Sequence, residues 1–551
     1  MSTTKSPVTR ILNLLRLERK EITAVYFYAI LNGLIQLSLP VGVQAIIGYV
    51  LGASMRASLI VLIILIVLGV LIAGIMQVNQ MKIIEKIQQK IFVRYSFAFA
   101  QHIPNLDLKR NDSVYLPELI NRFFDVPLLQ KSLSKILLDI PTAVIQILFG
   151  LLLLSFYHPA FILFGVVLVA LLLLILKYTG GKGLETSLQK SKYKYKVAAW
   201  LEEMARVIKS TKLSKHNDLH LQKTDEEVSN YLTARNQHFK VLLLQFNVLV
   251  IFKTVITAAM LIVGTMLMVN QQLTIGQFIA AEIVILLVLN SVEKLIINLG
   301  SVYDTLTAIE KASEITDKPV EKNGTMELPA SGNGVKLEMK DVSFSYTGES
   351  DILQNISLKI EANQKVCISG NDSSGKSTLL KLMTGSYTDF NGSVLIDAVP
   401  LGNYNLDSLR SQTGVLMSQQ DIFQGTLLEN ISLGNPSVTI DAIKEYAAKT
   451  GLTDFIATLK DGYDTILDPT GKRLPRNVIH RILLVRALAN KQRLLLLEEP
   501  WMNFSNGHRK QIMQLLKEIK NTTLVVVTND EEYIQQCDKI IVMNENGSIN
   551  N

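Results

Sequence analysis

Residues Gly370-Asn-Asp-Ser-Ser-Gly375-Lys376-Ser377-Thr378 have the form G-x-x-x-x-G-K-S-T. Glycines at either end let backbone N–H groups curl around phosphate oxygens, and Asn371, Asp372, Ser373 and Ser374 form the loop between them. The Lys376 ammonium reaches the terminal phosphates, and the Ser377 hydroxyl is a ligand for Mg²⁺. Asp372 sets a carboxylate near those phosphates, a mild electrostatic cost. The chemistry of this pattern is nucleotide binding.

Such a loop needs a strand before it and a helix after it, because the helix N-terminus adds the positive end of its dipole. Lys365-Val-Cys-Ile-Ser369 reads as that strand, and residues 379–383 as the helix. Strand-like runs also stand at 335–339, 342–346 and 356–360. Lys-Pro, Asn-Gly and Ser-Gly-Asn-Gly between 317 and 334 have linker composition. We expect a linker over 311–334 and an α/β P-loop NTPase cassette over 335–551. Cys367 and Cys537 make no disulfide framework and fit no metal-ligand spacing, so they read as small buried residues of a reducing cytoplasm.

The chain has 551 residues and 48% hydrophobic content, too long for a single core. Its apolar residues concentrate in the first 305. Six runs there, 22–50, 58–78, 137–157, 159–178, 241–269 and 276–299, reach the roughly 20 residues that a bilayer core demands. Connections after the first, third and fifth runs are short and nearly free of positive charge. Those after the second and fourth, 79–136 and 179–240, are rich in Lys and Arg, which places them and both termini in the cytoplasm. Both keep helical periodicity, so the helices are expected to continue out of the membrane and return. The net charge of +7 then belongs to cytoplasmic loops, and no nucleic-acid partner is expected. Residues 1–20 form a basic cytoplasmic segment whose Ile11, Leu12, Leu14 and Leu15 fit either a surface helix or a plain lead-in. A six-span domain with long cytoplasmic helical extensions is expected over 21–310.

Ionisable residues inside spans are functional candidates, mainly Lys253 in the fifth span with Glu282 and the adjacent Glu293-Lys294 in the sixth. Lys253 of the fifth span and Glu293 of the sixth reach similar depths at about 1.5 Å per residue. They suit either an ion pair or two separately snorkelling side chains. Glu282 lies nearer the outer face and is expected to look into a central cavity, whereas Asp139 suits the cytoplasmic interface.

Six spans with such extensions, followed by a cassette carrying this loop, resemble the ABC exporters, most nearly their type I secretion and peptide-exporter branch. The likeness includes Gly33-Leu-Ile-Gln-Leu-Ser-Leu-Pro-Val-Gly-Val-Gln-Ala45 in the first span. The resemblance implies an α-helical six-span transmembrane domain of ABC exporter type joined to the cassette, with ATP and Mg²⁺ as cofactors. It makes residues 117–125 look like the first coupling helix, and those around 206–215 like the lead-in to the second. It makes Tyr346 of Phe344-Ser-Tyr346 the aromatic that stacks on adenine. In the stretch 416–431, which resembles the Q-loop region, it makes Gln419, in preference to Gln420, a Mg²⁺ contact. Arg493-Leu-Leu-Leu-Leu-Glu498-Glu499-Pro500 resembles the family's acidic strand. Glu498 occupies the metal-binding aspartate position with one extra methylene, and Glu499 the position of the catalytic carboxylate that polarises the attacking water.

Beyond these parts the chain departs from the family. The signature Leu-Ser-Gly-Gly-Gln reads Leu474-Pro-Arg-Asn-Val478, and Asn529 stands where the switch histidine is expected. Pro475 has no N–H, and Arg476 and Asn477 add bulk where backbone must approach a phosphate. Asn529 can donate a hydrogen bond but cannot take up a proton and carry charge. Losing one transition-state donor costs about 3 kcal/mol, roughly a hundredfold in rate. Slow turnover is therefore expected. An intact partner would not fully repair this, because each composite site joins one chain's loop and switch residue to the other's signature.

The resemblance implies an ATP-dependent half-exporter of a peptide, protein or amphiphile. It would sit in a bacterial inner membrane with its cassette in the cytoplasm, as a homodimer or as a heterodimer with a second half-transporter. Type I secretion would add a periplasmic adaptor. The alternative is an ATP-binding, hydrolysis-impaired partner or regulatory subunit of a heteromeric transporter.

Overall fold

Several of the apolar runs become parts of single helices that far outreach a bilayer. In the computed structural model, which describes all residues except 1–5, 53–55, 214–217, 347, 349, 419 and 551, the chain forms two compact units. One comprises the residues up to Pro104 with Val114–Lys318, and the other Asn105–Ser113 with the chain from Pro319 onward.

The first unit is helical: α1 (Pro7–Leu17), α2 (Arg19–Gln36), α3 (Ser38–Leu51), α4 (Arg56–His102), α5 (Leu116–Ile120), α6 (Asp125–Tyr157), α7 (Ala160–Arg206), α8 (Ile208–Leu213), α9 (Leu219–Val269), α10 (Ile275–Ile297) and α11 (Leu299–Thr316). Six helical stretches among the described residues are long and apolar enough to cross a membrane. α4 and α7 have 47 residues each, about 70 Å at 1.5 Å per residue, against a hydrocarbon core of about 30 Å. The excess is the helical extension that the basic connections predicted.

The first span is not one helix. Pro40 has no N–H for the Gln36 carbonyl, so α2 ends and α3 begins around Leu37, with Pro40 in the tolerant first turn. The Ser38 hydroxyl donates to the Ile35 carbonyl at 2.6 Å across the break. Elsewhere small residues let helices close up. A Cβ on Gly150 of α6 would stand 2.6 Å from Val288 of α10, and one on Gly183 of α7 would stand 2.3 Å from the Tyr303 ring. Polar groups inside the bundle find one another: Ser291 donates to Gln146 at 2.8 Å, and Gln245 to the Tyr303 hydroxyl at 2.9 Å. Lys253 and Glu293 pair at 2.8 Å, and Asn298 donates to Asp139 at 3.1 Å. α1 buries Leu14 and sets Arg10 3.2 Å from Glu310, so it packs as a helix on its own unit.

The segment that resembled the first coupling helix, 117–125, also belongs to this unit. Leu119 is buried, and Arg122 pairs with Glu118 at 2.7 Å and Glu314 at 2.9 Å. The stretch that packs with the cassette lies upstream, at Asn105–Ser113. Leu106 bridges Val320, and Lys109 donates to the Asp389 carbonyl at 2.6 Å while lying 4.9 Å from the centre of the Phe344 ring. The helical pattern alone does not reveal that the chain leaves α4 by a tight turn at 103–105.

In the second unit the elements are β1 (Leu337–Phe344), β2 (Leu353–Ile360), β3 (Lys365–Gly370), α12 (Lys376–Met383), β4 (Asn391–Ile396), β5 (Val399–Pro400), α13 (Leu406–Ser411), β6 (Thr413–Leu416), β7 (Gly425–Thr426), α14 (Leu427–Ser432), α15 (Ile440–Lys449), α16 (Leu452–Ala457), β8 (Ile466–Leu467), α17 (Arg476–Leu488), β9 (Leu494–Glu498), α18 (Asn506–Glu518), β10 (Thr523–Val527), α19 (Glu531–Ile534), β11 (Lys539–Met543) and β12 (Ile549–Asn550). One sheet is antiparallel, in the order β2-β1-β4-β5. The other, β12-β11-β3-β10-β9-β6, is parallel except at β12. Its central strands read as unbroken apolar runs because helices cover both faces.

The two cysteines depart from expectation. Cys367 on β3 and Cys537 just before β11 are joined as a disulfide, with Cα atoms 6.0 Å apart. β3 and β11 are neighbours in register although 170 residues separate the cysteines, and no local spacing discloses that.

Candidate functional site

The carboxyl ends of three adjacent parallel strands build the site. β3, β10 and β9 lie side by side, delivering the loop after Ser369, Asn529 and the Glu498-Glu499 pair to one edge. Such an edge is where open α/β sheets bind ligands.

Gly370 has φ 145° and Gly375 φ 94°, conformations that L side chains rarely adopt. A Cβ on Gly370 would also stand 2.4 Å from the Met543 carbonyl oxygen. Ser373 turns the loop with φ 65°, and Gly375 is the N-cap of α12. Lys376 Nζ lies over the loop and donates to the carbonyls of Gly370 at 2.8 Å and Asn371 at 2.6 Å. Ser377 Oγ donates to Glu498 Oε1 at 2.5 Å, while Glu498 Oε2 accepts the Ser418 N–H at 2.9 Å. A serine hydroxyl and a carboxylate that close together are a donor set suited to a hard cation. Thr378 faces the other way and meets the Tyr346 hydroxyl at 3.0 Å. The half-buried Tyr346 ring stands edge-on to Phe344 and Tyr387, with centroids 5.0 and 5.5 Å away.

Glu499 follows β9 with φ 43°, and Thr528 donates to its Oε2 at 3.2 Å. Burial pushes its carboxyl above the ordinary range. The Thr528 and Asn529 hydrogen bonds pull it back, and the charges of Asp530 and Glu498 push it further up. Asn529 sits between the acids and the loop, and its Oδ1 accepts the Gly370 N–H at 3.0 Å. Asp372, Lys376, Ser377, Glu498, Glu499 and Asn529 share a cleft of about 340 Å³. Gln419 lies outside the described residues. Its neighbour Gln420 accepts the Met417 N–H at 3.3 Å.

The altered signature opens α17. Pro475 is the N-cap and contributes no N–H, Pro475 and Arg476 are exposed, and Val478 is buried. Sequence reasoning missed the Asn529–Gly370 and Ser418–Glu498 contacts, which join residues 159 and 80 positions apart.

Residues 22–292 match the model of the ABC transporter transmembrane region, and residues 353–502 match that of the ABC transporter. The chain belongs to the ABC transporters. It is 32% identical over 245 residues to an ATP-dependent lipid A-core flippase of Saccharophagus degradans, covering 44% of this chain and 42% of that protein. To the alpha-hemolysin translocation ATP-binding protein HlyB of Escherichia coli O157:H7 it is 30% identical over 288 residues, covering 52% of this chain and 40% of that protein. The matches thus span less than half the length of these two relatives. The structure of a bacterial Atm1-family ABC exporter with ATP bound superposes with a TM-score of 0.83 at 18% identity, covering 97% of this chain and 96% of that one. That likeness is one of fold: this ABC chain has the exporter architecture, with its membrane helices and cassette on one polypeptide.

Proposed function

We propose that the chain is one half of an ABC exporter that binds ATP with Mg²⁺ and moves a peptide, protein or amphiphile across a bacterial inner membrane. The observation that carries this is the loop Gly370–Thr378 facing Glu498 and Glu499, in a chain whose described residues also hold six helical stretches long and apolar enough to cross a membrane. In this reading the main chain of residues 370–378 and Lys376 hold the phosphates, and Tyr346 turns from Thr378 to stack on adenine. Ser377, Glu498 and Gln419 hold Mg²⁺, which when bound neutralises phosphate charge. Glu499 orients water and takes up its proton on a carboxylate oxygen. The half-transporter works as a dimer, with itself or with a second half, and in a secretion system with a periplasmic adaptor.

Turnover is slow in this reading. Pro475 removes one N–H from the start of α17. Asn529 spends its acceptor on Gly370 and cannot become charged. One missing donor at about 3 kcal/mol, together with a switch position that cannot be charged, holds hydrolysis well below the family's usual rate.

Equilibrium binding of a fluorescent ATP analogue to the purified chain tests the nucleotide assignment. The parent should bind it saturably, and Lys376→Ala should weaken it at least tenfold. Binding that ignores Lys376→Ala would remove the loop from the site.

A further inference from the structure

The outer chemistry of a spanning helix shows what covers it. On α4 between residues 57 and 78, and on α7 between 160 and 176, there is no ionisable side chain, as suits contact with acyl chains. α10 differs. Glu282, Leu286, Asn290, Glu293 and Ile297 recur at three- and four-residue steps along one face, and each is exposed or half-buried within its unit. The opposite face, from Ala281 to Val292, is buried. Beside it, α9 borders a groove of about 510 Å³ whose lining includes Val250, Thr257 and Leu261, with Lys253 and Glu293 paired in its wall.

That pair neutralises itself, whereas Glu282 stands alone. Among the described residues no cation lies within ion-pair distance of its carboxylate. It lies about 16 Å outward from Glu293 along the same face. An uncompensated carboxylate at membrane depth belongs on a water-filled or ligand-filled surface, since acyl chains would oppose its charge.

We propose that this face of α10 lines the path of the transported molecule and that Glu282 binds a cationic group on it, an ammonium or guanidinium, while an apolar portion occupies the α9–α10 groove. The inference rests on the exporter reading and narrows it to peptides or amphiphiles that carry positive charge. Lys253 is paired with Glu293, and the exposed Lys294 of α10 lies about 18 Å inward of Glu282, so the outer part of the face carries the carboxylate alone.

Tetraphenylphosphonium and tetraphenylborate, alike in size and shape and opposite in charge, are the probes. Their binding to the full chain in lipid nanodiscs, without nucleotide and against empty discs, should be saturable for the cation only. Glu282→Gln should weaken the cation at least tenfold, and Glu282→Asp much less. Equal binding of both ions, no saturable cation binding, or a Glu282→Gln protein that binds like the parent would each overturn the proposal. A Glu282→Gln protein that binds the cation normally but changes its oligomeric state would overturn it too, assigning the face to contact between copies. Because nucleotide is absent, these failures would leave the ATP-driven reading standing. Loss of ATP hydrolysis would not alter the probe result.

Discussion

Glu498 uses both carboxylate oxygens, one on Ser377 at 2.5 Å and one on the Ser418 N–H at 2.9 Å. Glu498→Gln keeps the shape, removes the charge and turns one acceptor into a donor. Opposite unit charges about 4 Å apart near a protein surface attract by about 4 kcal/mol. The half-buried position and the remaining amide oxygen reduce the loss to about 1.5–3 kcal/mol, or about 10–100-fold in affinity. Titrating a fluorescent ATP analogue with Mg²⁺ and again with EDTA isolates this effect. The parent should bind more tightly with Mg²⁺. Glu498→Gln should lose 10–100-fold with Mg²⁺ yet stay within about threefold of the parent in EDTA. Full retention of the Mg²⁺ effect, or an equal loss in EDTA, would refute the metal assignment.

Burial raises the Glu499 carboxyl, so it takes up its proton at a higher pH than an ordinary glutamate. Hydrolysis needs the ionised form, so a pH–rate profile should fall on the acid side at a higher pH than an unperturbed carboxylate would give. A rate that is flat across that window would remove Glu499 as the base. Asn529→Ala deletes the 3.0 Å bond to Gly370. It should release about 1 kcal/mol of loop protection, read as roughly fivefold faster amide exchange around residue 370. Lys253→Glu and Glu293→Lys alone should each lower thermal stability in nanodiscs, and the double swap should recover most of the loss. A swap no better than either single change would mean the 2.8 Å pair contributes nothing.

The phosphate loop was legible because its chemistry is contiguous, from Gly370 to Thr378, with a strand and helix directly attached. The membrane helices were legible because a bilayer imposes a minimum length on apolar runs. The Lys253–Glu293 pair was open to two readings, and depth counting along two antiparallel helices brought its members level. What stayed hidden depends on which strands neighbour one another. Asn529 meets Gly370, and Cys367 meets Cys537, only because β10 and β11 flank β3. The break around Leu37 was visible in Pro40, but the hydropathy of 22–50 outweighed it. Residues 117–125 resemble the family's first coupling helix, whereas the stretch grouped with the cassette, Asn105–Ser113, is a run of turns that no periodicity marks.

ATP hydrolysis by the purified chain in nanodiscs, compared with Lys376→Ala and Glu499→Gln, decides whether the Gly370–Thr378 loop and Glu499 form a working ATPase site. Phosphate release should be slow and abolished by both substitutions, with nucleotide binding kept in Glu499→Gln and weakened in Lys376→Ala. Turnover that persists unchanged through both substitutions would contradict that assignment.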